Sequence, residues 1–163
     1  MAFGSLRPAL WISSTSWRGE GMFVRPADFV IGGAERPYLH RWWIIPRNRW
    51  FNIYLHKIVR SDDDRALHDH PWWNVSVILK GGYVEVLPDG RMPVRRAGSI
   101  VLRRASALHR LVIIQKWPAC WSLFITGPRL REWGFSCPKG WVHWRDFTSG
   151  PSGETVGRGC GEI

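Results

Sequence analysis

The chain has 163 residues, 45% of them hydrophobic, which suits one domain with its own core. It carries 23 Lys+Arg against 13 Asp+Glu, a formal net charge of +10, and three cysteines with no CxxC pair. That composition argues against a disulfide framework, a zinc knuckle and a membrane span, and in favour of a reducing cytoplasm. The charge admits nucleic acid or an anionic small molecule as partner, although the arginines are scattered rather than gathered into a basic run. Twelve tryptophans, most of them between residues 42 and 144, can fill a β-barrel or line a pocket for a planar or sugar-like ligand.

Residues 1–21 read as an appendage rich in Gly, Ser, Thr and Pro, expected to be poorly ordered, with Met22 as an alternative start. Phe29-Val30-Ile31 offers a short strand ended by Gly32-Gly33. Residues 38–45 are aromatic and apolar, ended by Pro46-Arg47-Asn48. Residues 50–59 alternate as a strand buried on both sides, with His56 lining a pocket or packed in the core. Asp62, Asp63 and Asp64 form a charged turn, expected to face water. A strand over 75–79 follows, then a tight turn or bulge at Gly81-Gly82 and a second strand over 83–87. Pro88-Asp89-Gly90 turns the chain into short strands over 91–96 and 99–102. Further strands follow over 109–114 and 120–126, and Trp133-Gly134-Phe135 with residues 141–144 closes the rim. No stretch of ten residues has a helical period. The tail, 148–163, is rich in Gly and Ser and expected to be disordered. Short strands with turns every eight to twelve residues define an all-β barrel or sandwich over 22–147.

The stretch that carries chemistry is Leu67-His68-Asp69-His70-Pro71-Trp72-Trp73-Asn74. Residues two apart on a strand share a face, so His68 and His70 can aim two imidazoles at one point, while Asp69 points the other way. A metal needs a third ligand, and His109 is the best candidate. His40 and His143 read as peripheral, and Cys137 as a packed thiol rather than a nucleophile.

The spacing resembles the two motifs of the cupin superfamily. An HxH pair, His68 and His70, is followed four residues later by Asn74 and seven after that by Gly81. Gly98 then precedes His109 by eleven residues. The sequence departs from the pattern in three places. Asp62 replaces the opening glycine, Arg104 and Ser106 stand where the second motif has proline and glycine, and Asn74 replaces the usual glutamate ligand. HDHPWW, the GGY turn, FITGP and WGF also look like those of small cupin-like proteins of bacteria and their phages.

The resemblance implies a double-stranded β-helix barrel (jelly roll) with flexible N- and C-terminal extensions. It also implies a divalent ion at His68, His70, His109 and Asn74: Fe(II) first, with Zn, Ni or Mn as alternatives. A three-histidine set is similar to that of thiol dioxygenases, a cupin branch that binds Fe(II) and holds its substrate carboxylate with arginine. Arg103 and Arg104 are the leading candidates for that task here, with Arg60, Arg65 and Trp73 beside them. Tyr83 is expected to supply a hydroxyl. Glu85 is expected to act as a base or an outer carboxylate, or else to be an exposed strand residue. The function expected is a metal-dependent, dioxygenase-like oxidoreductase acting on a small anionic substrate, with a homodimer among the expected partners. Two alternatives stay open: a non-catalytic module that binds a sugar, nucleotide or peptide, and a nucleic-acid-associated protein.

Overall fold

A computed structural model describes residues 25–33, 35–62, 66–150 and 155–161. The expected N-terminal extension and Asp63, Asp64 and Arg65 lie outside them. The elements in chain order are β1 (Phe29–Ile31), β2 (Leu39–Trp43), β3 (Asn52–Ile58), β4 (Leu67–His68), β5 (Asn74–Val86), β6 (Val94–Arg96) and β7 (Ile100–Arg103). They continue with β8 (Arg110–Val112), β9 (Cys120–Thr126), β10 (Gly134–Cys137), β11 (Gly140–His143), α1 (Trp144–Phe147), β12 (Thr148–Ser149) and β13 (Thr155–Val156). The all-β expectation is met, and no helix among the described residues is long and apolar enough to cross a membrane.

Every pairing between these strands is antiparallel. The main sheet runs β1-β2-β3-β9-β5, and β5 is its hub, pairing also with β6, β7 and β8. The sequence led us to expect two strands separated at Gly81-Gly82. The structure instead shows one 13-residue strand with a register shift between Ile78 and Lys80. A bulge does occur, but just ahead of the glycines, and the strand does not turn back there. Gly81 sits at φ +71°, and a Cβ there would come within 2.0 Å of the Ala119 carbonyl oxygen, so only glycine fits. The bulge bends β5 without reversing it. Residues 74–77 pair with β7 and β9, and residues 82–86 pair with β6 and β8. One strand therefore serves two layers.

Register also fixes what faces inward. On β9, Cys120, Ser122, Phe124 and Thr126 are buried, alternating with less buried neighbours. His56 pairs with Arg41 on one side and Ser122 on the other. Phe124 pairs with Tyr54 and Ser76. At one end the interior is apolar, with Leu39, Ile58, Ile78, Tyr83, Leu111 and Cys120 packed together. The rest of the inner face is polar or aromatic.

β4, β10 and β11 form a second sheet, and Ala66, Cys137 and Phe147 pack beside it with Phe135, Val142 and Cys160. Among the described residues beyond 147, β12 and β13 pair, and Gly159 N–H donates to the Phe147 carbonyl. One expectation is corrected here. The cysteines do form a bridge: Cys137 and Cys160 are joined, and Cys120 stays a buried free thiol. Count and spacing could not show this pairing, which only the return of the tail onto β10 creates. The inference from cysteine usage to a reducing compartment loses its basis with it.

The bridge closes a loop of 23 residues, so the chain-entropy cost it removes from the unfolded state is about 3 kcal/mol. Treating the protein with a dithiol reductant, or replacing both cysteines by serine, should lower its Tm by roughly 6–12 °C in a thermal melt. A shift under about 2 °C would show that the bridge carries little of the fold's stability.

Candidate metal centre

Strand pairing brings the three histidines together. His68 ends β4 and bridges directly to His109, each backbone N–H donating to the other's carbonyl at 2.9 and 3.0 Å. The distant histidine is thus the cross-strand neighbour of the first. His70 lies just past β4, its N–H held by the Ala105 carbonyl at 3.0 Å. One ligand atom from each of His68, His70 and His109 can be chosen so that all lie within 4.8 Å of one another. The Nε2 atoms of His70 and His109 are 2.9 Å apart. Two nitrogens bound at about 2.0–2.1 Å to one ion sit that far apart at an angle of about 90°. The His70–His109 spacing is compatible with two ligands on one ion, and His68 lies beside them.

Carboxylates behind the rings set which nitrogen faces inward. His109 Nδ1 is 3.0 Å from Glu85 Oε1, and His68 Nδ1 is 3.7 Å from Asp62 Oδ2. The His109 contact turns Nδ1 away from the centre and leaves Nε2 for it, the usual support for a metal-binding imidazole, and the longer Asp62 contact lies on the Nδ1 side of His68. Asp62 is anchored in turn, because its Oδ2 accepts the Leu111 N–H at 2.7 Å. The expectation of a turn carboxylate facing water fails at this residue. Burial holds His70 well below the usual imidazole range, with the His109 and His68 charges adding to it. Burial also brings His109 down to about 4, against the opposing hydrogen bond to Glu85. Both rings are therefore neutral near pH 7, the state a metal ligand needs.

Glu85 is buried, at 1% exposure, which corrects the exposed-strand alternative. Burial pushes its carboxyl up. The hydrogen bond to His109, the Arg103 charge and the Arg95 hydrogen bond outweigh that and bring its pKa to about 2. The carboxylate is held by Arg95 and Arg103 and sits behind His109, away from open solvent. Arg103 is buried as well. Its Nε donates to Glu85 at 2.7 Å, its Nη1 to Ser76 Oγ at 3.2 Å and Asn74 Oδ1 at 3.5 Å, and its Nη2 to Tyr83 OH at 3.3 Å. Asn74 is thereby turned toward Arg103, and it does not line the cavity described below. Tyr83 does line it.

That cavity, of about 1040 Å³, opens against the three histidines. Arg41, Tyr54, His56, Trp72, Arg103, Phe124, Trp133 and Phe135 are among the residues that line it. Three residues expected at a substrate do not. Arg104 is exposed, just past the end of β7. Trp73 covers Gly127, whose Cβ would fall 2.0 Å from the Trp73 Nε1. Arg60 donates to the Arg36 carbonyl at 3.0 Å. Strand alternation and local packing take these three away. Asp69 behaves as expected, turned outward to the Gly134 N–H (2.8 Å), Arg131 (2.6 Å) and Trp141 (3.3 Å).

Sequence reasoning missed Arg41. It is legible only once β2 and β3 are recognised as a hairpin, because it then faces His56 across the pair. Its Nε donates to His56 Nε2 at 2.9 Å.

No protein-family model matches the chain, and no curated protein matches it either. Solved structures do. The polyketide cyclase RemF from Streptomyces resistomycificus matches with a TM-score of 0.52 and 19% identity, over 69% of this chain and 80% of that one. A double-stranded β-helix protein from Klebsiella pneumoniae matches at 0.49 and 13%, over 69% and 89%. A cupin superfamily protein from Desulfitobacterium hafniense matches at 0.46 and 14%, over 55% and 77%. The hub strand, the antiparallel order and the RemF match define the class by its fold: this chain is an antiparallel double-stranded β-helix. The resemblance carried by the two motifs is borne out at the level of the fold.

Buried His109 and Glu85 both make the fold acid-sensitive. His109 is depressed from 6.5 to about 4, so its contribution is intact above pH 6.5 and is lost as pH falls toward 4. Glu85 is depressed from 4.5 to about 2, so its contribution is present above pH 4.5 and fades below it. In chelator-containing buffer, stability from denaturant titration should fall by on the order of 3 kcal/mol between pH 7 and pH 4. A flat profile across that window would contradict the buried, neutral His109.

Proposed function

We propose that this protein is a metal-dependent cupin enzyme acting on a small anionic substrate, with His68, His70 and His109 holding one divalent ion. One observation carries this. Three imidazoles converge on the wall of a cavity of about 1040 Å³, far more room than a structural ion needs. Structural metal sites are closed by four protein ligands, whereas three leave coordination positions open to a ligand from the cavity. Neutral imidazoles suit several first-row ions, Zn, Ni and Mn among them; Fe(II) is favoured by the resemblance to the three-histidine thiol dioxygenases. When bound, the ion supplies Lewis acidity and, as Fe(II), the capacity for the oxygen chemistry of a dioxygenase.

The residues around the ion have separable tasks. Glu85 and Asp62 orient His109 and His68. Arg103 neutralises Glu85 and fixes the Tyr83 hydroxyl at the cavity wall, where it can hydrogen-bond a substrate beside the ion. Arg103 is therefore a positioning residue, and the substrate's negative charge needs another partner. Asn74 tunes the site through Arg103 rather than as a direct ligand.

The test is elemental analysis of protein purified without added metal. Wild type should carry close to one equivalent of a first-row divalent ion, and His70→Ala should lower that by about tenfold or more while the far-UV circular dichroism spectrum is kept. Metal near zero in wild type, unchanged in the variant and not restored by loading with Fe(II), Zn, Ni or Mn, would end this assignment.

A further inference from the structure

The cavity has a second polar pole, away from the histidine triad. Arg41 and His56 face each other across β2 and β3, and Phe124 packs against both His56 (ring centroids 4.8 Å apart) and His70 (6.2 Å). One aromatic ring thus spans the distance between the two poles. Arg41 also stands over the Tyr54 ring, its guanidinium carbon 4.7 Å from the centroid. His56 is sandwiched between the Tyr54 and Phe124 rings, stacked on both, and its Nε2 accepts from Arg41 Nε. The guanidinium is therefore held at one edge by an imidazole and over one face by a phenol.

What the pole lacks is a negative charge. Among the described residues, the His56 contact is the one hydrogen bond Arg41 makes, so its two Nη groups are unspent. Among the described residues no carboxylate acts on Arg41. The charges that do are the cation of Arg47 and the phenols of Tyr54 and Tyr38, and burial lowers its pKa to about 10. Arg47 lines the same cavity, 5.6 Å over the Trp43 ring. The described lining includes Arg41, Arg47, Arg103 and Arg158 against one carboxylate, Asp62, which is committed to Leu111 and His68. Arg103 has Glu85 as its counter-ion, and Arg41 has none among the described residues. A partly enclosed guanidinium with a free planar fork and no counter-ion is suited to a bidentate oxyanion.

We propose that Arg41, oriented by His56 and flanked by Arg47, binds an oxyanion group, carboxylate or phosphate, on a ligand whose planar body lies against Phe124 and the neighbouring aromatic rings. This deepens the assignment of the cavity as a substrate site and rests on it. It names Arg41, on β2, as the residue that recognises the anionic end, while the other end reaches the histidine triad.

The experiment titrates full-length protein, as purified and at fixed ionic strength, with benzoate, phenyl phosphate and the neutral benzamide, followed by tryptophan fluorescence and calorimetry. At least one of the two anions should bind about tenfold or more tightly than benzamide. Arg41→Met should bring that preference to within about twofold, with metal content and near-UV circular dichroism unchanged. Arg41→Lys keeps the charge but not the fork, and should lower the preference about threefold or more. That variant carries the test if Arg41→Met does not fold. The two anions separate carboxylate from phosphate recognition. No binding up to about 10 mM, equal affinity for the neutral probe, or a preference that survives both Arg41 variants would overturn the proposal. A preference lost in His70→Ala but kept in Arg41→Met would also overturn it, because the anion would then sit on the ion. A preference that depends on Arg41 in protein that binds no metal would leave this inference standing and remove the metal one.

Discussion

One buried carboxylate organises the interior of this barrel. Glu85 accepts hydrogen bonds from Arg95 and Arg103 at 2.7 Å each and faces His109 Nδ1 at 3.0 Å. Removing a carboxylate from water costs several kcal/mol, and each charge-assisted hydrogen bond returns about 1.5–3 kcal/mol. Three such partners outweigh that cost at Glu85. The network also fixes relative position. Glu85 on β5 ties down Arg95 on β6, Arg103 on β7 and the histidine that precedes β8. Because Glu85 and Arg103 are both buried, neither can be left unpaired cheaply, and the imidazole between this network and the cavity has one favourable orientation.

The same constraint explains why the inner face is polar where a small barrel is normally apolar. Asn74, Ser76, Ser122 and Thr126 are all buried on inward positions of β5 and β9. Their side chains are small, which leaves volume for a cavity, and Ser76 and Asn74 answer the outer edge of Arg103. The register shift between Ile78 and Lys80 lies between the two ends of β5, from which Asn74 and Glu85 both meet Arg103.

How far this was legible in the sequence depends on the range of the cause. The histidine pair, Gly81 and the glycine–histidine spacing are local signals, and they lead to the fold and to the three converging rings. Strand alternation correctly turned Asp69 away. Arg103 and Arg104 could not be separated in advance, because adjacent residues on a strand face opposite sides and the phase of β7 was unknown. The placement of Glu85 failed for a related reason. An acidic residue on a strand is most often exposed, and its burial here becomes intelligible only with two arginines from β6 and β7 around it. Arg41 and the Cys137–Cys160 bridge required knowing which strands are neighbours, which no single-chain spacing reveals.

The bridge bears on the cavity as well as on stability. Cys137, Gly157, Gly159 and Cys160 are part of the cavity lining, so the C-terminal segment forms one of its walls. That segment brings little apolar surface of its own. Its packing depends on backbone approach, since a Cβ on Gly157 would fall 2.3 Å from the Thr148 carbonyl carbon. A wall held by glycine contacts and a two-residue ribbon is weakly fastened, and a covalent link to β10 supplies what burial cannot. β10 also pairs with β4, placing Phe135 opposite His68, so the link reaches the metal centre through one strand register. The order of the tail and the placement of the first histidine therefore share a support, and loosening one disturbs the other.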